Sequence, residues 1–113
     1  MTNYRRGDIV LVEFAFSEGT GSKKRPALIV SSDRYHKRRQ EVILAAITSN
    51  IQRVLFADTK IAEWKEAGLL YASLVTGIIR TVKGSVIIKK LGVLLDSDLK
   101  RVEENLTGAL QLG

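Results

Sequence analysis

The sequence has no cysteine among its 113 residues, and only one histidine and one proline. Without cysteine there is no disulfide framework and no thiolate metal site, which suits the reducing cytosol. A single histidine, His36, excludes a two-histidine acid–base pair within one subunit. Long apolar runs are also missing. The richest, Ala67 to Val75, is interrupted by Gly68 and Ser73 and is far too short to cross a bilayer. The opening residues Met1 to Asp8 lack the apolar core of a signal peptide. A soluble, cytoplasmic protein with no membrane partner is expected. Ser17 to Lys24 contains two glycines but lacks the Gly-Lys-Ser/Thr ending of a P-loop, and it leads towards a strand. Asp58, Glu63 and Glu66 are scattered, whereas a hard cation wants convergent oxygens. No metal and no cofactor are expected.

What is present is a chain of ordinary globular composition, 45% hydrophobic, whose length fits one domain spanning residues 1–113. Its net charge is +6. That balance favours a polyanionic partner. The charge is concentrated: Lys23, Lys24, Arg25, Arg34, Lys37, Arg38 and Arg39 face one acidic residue, Asp33, over the same stretch. The rest of the chain is near neutral.

Hydrophobic alternation predicts a first strand over Asp8 to Phe16, followed by a polar, glycine-containing loop. Pro26 opens a second strand through Ser32, a position where its missing N–H does no harm, and it holds Arg25 extended. Asp33 to Glu41 reads as a basic loop. Val42 to Thr48, apolar on both faces, reads as a buried central strand. Ile51 to Thr59 is a weaker, short strand, and Ile61 to Gly68 has a helical spacing with Gly68 as its stop. Ser73 to Val75, Ile78 to Val82 and Val86 to Gly92 read as further strands. The last element is an amphipathic helix capped by Asp96 or Ser97, with Leu99, Val102, Leu106, Ala109 and Leu110 on one face. The expected fold is mainly β, a small antiparallel barrel closed by a C-terminal helix.

Four stretches carry a family resemblance: Gly7 to Phe14, Lys24 to Ser31, Ala46 to Ser49, and Ile79 to Val82 continuing to Lys90-Leu91-Gly92. In order, spacing and total length the chain resembles the MazF/PemK toxins. The resemblance implies an SH3-like barrel, a homodimer, and metal-independent cleavage of single-stranded RNA. It also implies a cognate antitoxin, a short acidic protein that covers the RNA site. It assigns the catalytic pair to Arg25 and Thr48. The candidate substrate-binding residues are Phe16, Glu18, Gly19, Lys23 and Lys24 around the first loop, with Ser31, Ser49 and Arg80. The chain departs from the family's habit at Ala72, where a proline is common, and at Ile78, where a polar residue is common. Both positions bear on base preference.

The chemistry of these residue types fits RNA cleavage. An RNA strand is cut when its own 2′-OH attacks the adjacent phosphate, which needs proton transfer and stabilisation of charge on the phosphate oxygens. Arg25 offers a fixed cation with a planar fork of donors. It is a poor general base, so a clamp on the non-bridging oxygens is the expected role. Thr48 would add a hydroxyl hydrogen bond, assisted by Ser49. Arg80 would hold a flanking phosphate or pair with a carboxylate across a dimer. His36 reads as a solvated loop residue. Phe14 and Phe56 read as core and Phe16 as a residue of the loop mouth, with Trp64 as a packing anchor. Two other readings share the basic segment: a non-catalytic RNA- or protein-binding barrel, and a toxin of related fold that inhibits DNA gyrase.

Overall fold

The computed structural model describes residues 3–14 and 23–113. Its elements are β1 (Asp8–Phe14), β2 (Lys23–Ile29), α1 (Asp33–Arg38), β3 (Glu41–Thr48), β4 (Thr59–Lys60), β5 (Leu74–Lys83), a 3₁₀ turn at Gly84–Val86, β6 (Ile87–Val93) and α2 (Asp96–Leu110). The strands form one six-stranded sheet in the order β4-β5-β3-β2-β1-β6. Every neighbouring pair is antiparallel. The expected class, mainly β with a C-terminal helix, is what the chain adopts.

The continuous apolar run of β3 is explained by its interior place in the sheet, where both faces are covered. One face carries Ile9, Leu28, Ala45, Ile47, Val75 and Val102, with Leu99 and Leu106 of α2 and Trp64 packed against them. The other carries Val10, Val12, Ala27, Ile29, Val42, Leu44 and Ile87. Strand alternation sorts odd and even positions to these two clusters.

The barrel is not closed by a continuous ladder: among the described residues, β4 and β6 stand at opposite ends of the sheet. The sheet stays open, but the chain after β4 lies against β6. A Cβ on Gly92 of β6 would lie 1.9 Å from the Ala67 carbonyl oxygen, and one on Gly68 would lie 2.4 Å from the Leu91 oxygen. Only glycine lets the chain after β4 lie this close to β6. Gly68 also has φ +93°, a left-handed conformation that glycine adopts without strain.

Several local expectations are corrected. The basic loop after β2 contains a helix, α1, because Ser32 caps it by accepting from the Tyr35 N–H at 3.1 Å. Ile61 to Gly68 forms successive turns, not a helix. Of Ile51 to Thr59 only Thr59 joins a strand. The two runs expected over Ser73–Val75 and Ile78–Val82 are one strand, β5, interrupted by a bulge. The register against β3 shifts between Ala45 and Ile47, where the Thr76 hydroxyl donates to the Ala46 carbonyl at 2.8 Å. The α2 N-cap position is Leu95, with no side-chain cap. Leu99, Val102 and Leu106 face the core as expected, but Ala109 and Leu110 are exposed.

Asp98, in the first turn of α2, is buried and turned away from its own helix end. It accepts from the Ala62 and Glu63 N–H groups, each at 3.0 Å, and pairs with Arg101. This ties α2 to the turns that lead towards Gly68. Burial pushes the Asp98 carboxyl up. Donation from Glu63, Ala62 and Arg101 outweighs that and holds it below the usual carboxylate range.

Candidate functional site

The pairing of β2 with β3 runs Ile29↔Leu44, Leu28↔Ala45 and Ala27↔Ala46. At constant register, two steps past the last pair bring Arg25 opposite Thr48. Alternation puts both on the face of Ala27 and Ala46, whereas Lys24 and Ser49 fall on the opposite face, with Pro26 and Ile47. The strand end is therefore a rim with polar groups on each side. Arg25 is half-buried and sits opposite Val12 of β1. The Thr48 hydroxyl oxygen accepts from the Asn50 N–H at 3.1 Å, and its own proton is still available to donate.

Two cavities flank this rim. One, of about 530 Å³, is lined by Thr48 with Asn50, Arg53, Leu55, Phe56, Asp58 and Ile78, among others. The other, of about 410 Å³, is lined by Arg25, Lys24 and Ser49, together with Lys89 and Tyr71 and an apolar floor that includes Pro26 and Ile47. Arg25 and Thr48 thus line different hollows at the strand end, Arg25 sharing its own with Lys24 and Ser49.

The remaining candidates divide. Lys23 and Lys24 are exposed at the start of β2. Ser49 is exposed just past β3. Arg80 is exposed on β5, opposite Leu44, and so shares the sheet face of Arg25 and Thr48 but lies several residues along. Phe16, Glu18 and Gly19 lie outside the described residues. Ser31 is corrected: it sits past the far end of β2, buried, and its hydroxyl bonds the His36 ring and accepts from the Ile43 N–H at 3.0 Å. Those bonds commit it to holding α1 against β3.

His36 is corrected with it. The residue is 3% exposed, not solvated, because α1 turns its ring inward onto Ser31. Phe56 is corrected in the opposite sense, at 85% exposed. Trp64 packs on the core as expected. Asn50, Arg53, Tyr71 and Lys89 were not singled out from the sequence. Lys89 comes from β6, distant in the chain, and no linear motif links it to Arg25. Ala57 could have been suspected only from its backbone: its φ of 77° is left-handed, in the turn that Asp58 closes on the Leu55 N–H at 2.8 Å.

The basic run also proves to be two patches. Lys23, Lys24 and Arg25 stand at one end of β2, and Arg34, Lys37, Arg38 and Arg39 belong to α1 or follow it, beyond the other end. At roughly 3.3 Å per residue, a seven-residue strand separates them by about 20 Å. Among the described residues, no three His, Cys, Asp or Glu side chains gather as metal ligands would. No helix of the described residues is long and apolar enough to cross a membrane.

An antiparallel sheet with a C-terminal helix and a basic, hydroxyl-bearing strand end is an arrangement with known counterparts. A family model for the PemK-like, MazF-like toxins of type II toxin–antitoxin systems matches residues 5–110. The chain belongs to this family. Comparison of the sequence with curated proteins gives no match. Among solved structures, the chain is similar to the Mycobacterium tuberculosis toxin MazF-mt6, at 22% identity and TM-score 0.77 over 94% of this chain and 98% of that one. MazF from Deinococcus radiodurans aligns at 18% identity and TM-score 0.77, over 96% of this chain and 97% of that one. A mycobacterial endoribonuclease solved with its cognate antitoxin aligns at 19% identity and TM-score 0.76, over 97% of each chain. At these identities the likeness is one of fold.

Proposed function

We propose that this chain is an endoribonuclease toxin that cuts single-stranded RNA and is held in check by a short acidic antitoxin. The observation that carries the reading is the β2–β3 register, which continued two residues past Ala27↔Ala46 brings Arg25 level with Thr48 at the open end of the two strands. It is supported by membership of the toxin family and by a solved neighbour that is an endoribonuclease with its antitoxin.

The chemistry follows from the groups present. The substrate's 2′-OH attacks the adjacent phosphorus. A new P–O2′ bond forms, the P–O5′ bond breaks, and the proton lost from the 2′-OH is balanced by one delivered to the leaving 5′ oxygen. Arg25 holds the non-bridging oxygens as they gain charge, with two donors of its planar fork. Thr48 donates its hydroxyl proton to the same phosphate and keeps it in line for attack. Water or the substrate itself carries the proton, because a guanidinium is too weak a base for the task. Ser49, Lys23, Lys24 and Arg80 position neighbouring phosphates. The reading needs no metal or cofactor. It places the protein in the cytoplasm with its substrate. A second copy of the chain is the expected partner, since Leu55, Phe56, Ile78 and Leu110 leave large apolar surface in water.

Incubation with a long single-stranded transcript in EDTA tests this: discrete fragments are expected, ending in a cyclic phosphate on one side and a 5′-OH on the other. Near wild-type cutting by both Arg25→Ala and Thr48→Ala would overturn the assignment of the pair.

A further inference from the structure

The cavity that Arg25, Lys24 and Ser49 line also has Lys89 and Tyr71 in its wall, and the Arg25–Thr48 chemistry uses neither. We propose that it is a nucleotide subsite, in which Lys89 holds the phosphate of an RNA residue flanking the cleavage point and Tyr71 stacks on its base. The inference rests on the endoribonuclease reading and extends it to two residues from β6 and from the chain before β5.

The charge of the cavity is one-sided. Lys24, Arg25 and Lys89 line it, and no carboxylate does among the described residues. Glu13 lies across the β1–β2 ladder from Lys24 but is not part of the cavity wall. Lys89 and Lys90 are adjacent in β6, and alternation sends them to opposite faces. Lys90 meets the buried Asp8, while Lys89 lies opposite Leu11, which in turn lies opposite Pro26. With strands about 4.8 Å apart, Lys89 stands roughly 10 Å from the β2 rim.

The floor of the cavity is apolar, with Leu11, Pro26, Ile47 and Leu91. Beside it Tyr71 is 67% exposed. An aromatic ring in water next to an apolar floor and a ring of cations matches a nucleotide, which has an apolar face and an anionic backbone. The volume of about 410 Å³ is that of a small-molecule pocket, for which about 300–1,000 Å³ is usual. Lys24 and Arg25 are consecutive and both line the cavity, so a phosphate held by Arg25 has this space directly beside it.

The test uses the full chain and a single-stranded oligonucleotide carrying 2′-O-methyl groups throughout, which has no 2′-OH to react, so that binding is read by fluorescence anisotropy without cutting. Lys89→Gln is expected to weaken binding about fivefold and to reduce the slope of log affinity against log salt by roughly 0.7. Tyr71→Ala is expected to weaken it about tenfold, with Tyr71→Phe close to the unaltered chain, because stacking needs the ring and not the hydroxyl. With unmodified RNA the same variants raise KM while kcat stays within about twofold. Equal binding by the unaltered chain, Lys89→Gln and Tyr71→Ala would overturn the proposal, as would no binding by the unaltered chain. Loss of binding only to an acidic antitoxin would make the cavity a protein site and overturn it too. If Lys89 and Tyr71 govern binding but unmodified RNA yields no fragments, the subsite stands and the endoribonuclease reading fails.

Discussion

The two basic patches at opposite ends of β2 carry similar charge and differ in everything else. At the Arg25 end, cations and hydroxyls line two hollows at the strand end. At the α1 end, cations are neighbours of acids: Arg39 pairs with Glu41, and Asp33 accepts from the Arg6 N–H and lies 3.9 Å from the Arg5 guanidinium. The Arg39–Glu41 pair shows in their protonation. Hydrogen bonding and charge attraction to Glu41 raise the Arg39 pKa, and hydrogen bonding to Arg39 lowers that of Glu41. Exposed pairs of this kind contribute little stability. The comparison teaches that a run of positive charge in sequence is not a surface. A strand between its two halves divides it, and the proposed phosphate chemistry draws only on the half beside Thr48 and Ser49.

The comparison breaks first on Arg25. Arg25→Ala should cost about a thousandfold in cleavage rate, the scale set by removing a donor aimed at developing negative charge. Thr48→Val should cost on the order of tenfold to a hundredfold, because one neutral hydrogen bond is lost. Single-turnover cleavage of a defined transcript reads both. If either variant loses nothing, the Arg25 end has no special standing over α1.

Asp98 offers the next-largest effect, on stability. Asp98→Ala removes a buried carboxylate and strands two backbone N–H groups, at a cost of about 3 kcal/mol, measurable by urea denaturation. The carboxyl is held below its ordinary pKa in the folded chain. Its stabilisation is therefore fully present above the unfolded value and is lost as pH falls through the lowered folded value. The acid limb of the stability curve should flatten in Asp98→Asn. An unchanged limb would mean another carboxylate sets it.

Ser31 sharpens the comparison from the α1 side. Ser31→Ala should destabilise the chain by roughly 1–2 kcal/mol, by unpairing the Ile43 N–H and the His36 ring, while the folded variant cuts RNA at the unaltered rate. A cleavage defect in folded protein would return Ser31 to the site. The smallest effect is expected from neutralising α1. Replacing Arg34, Lys37 and Arg38 together by glutamine should change kcat/KM by about twofold or less at moderate salt, since exposed charges beyond about 8–10 Å are screened. A tenfold fall would show that RNA runs the length of β2.

Much of this was legible without coordinates. The alternation of β1, the unbroken apolar run of β3 and the stripe of Leu99, Val102 and Leu106 are local signals with fixed periods, and each element formed where its period placed it. The irregularity around Thr76 and Gly77 was not legible, because one strand with two extra residues looks like two short runs. Helix α1 carried a readable cap, Ser32 before Asp33, but its basic surface masked it as a loop. His36 and Phe56 were misplaced for a common reason. Phe56 lies in a turn and His36 in a helix of six residues, too short to show a period, so neither has neighbours in sequence to say which way it faces.

Arg25 and Thr48 mark the division between the two kinds of information. The sequence by itself determined that each would end or begin a strand, Arg25 held extended before Pro26 and Thr48 closing an apolar run, since backbone preference and hydrophobic period are local. Only the tertiary structure decided that the ends of β2 and β3 lie side by side, and that Lys89 of β6 shares a cavity with Lys24, Arg25 and Ser49. Those outcomes depend on register and strand order, which are set by burying two apolar faces at once and which no single segment encodes.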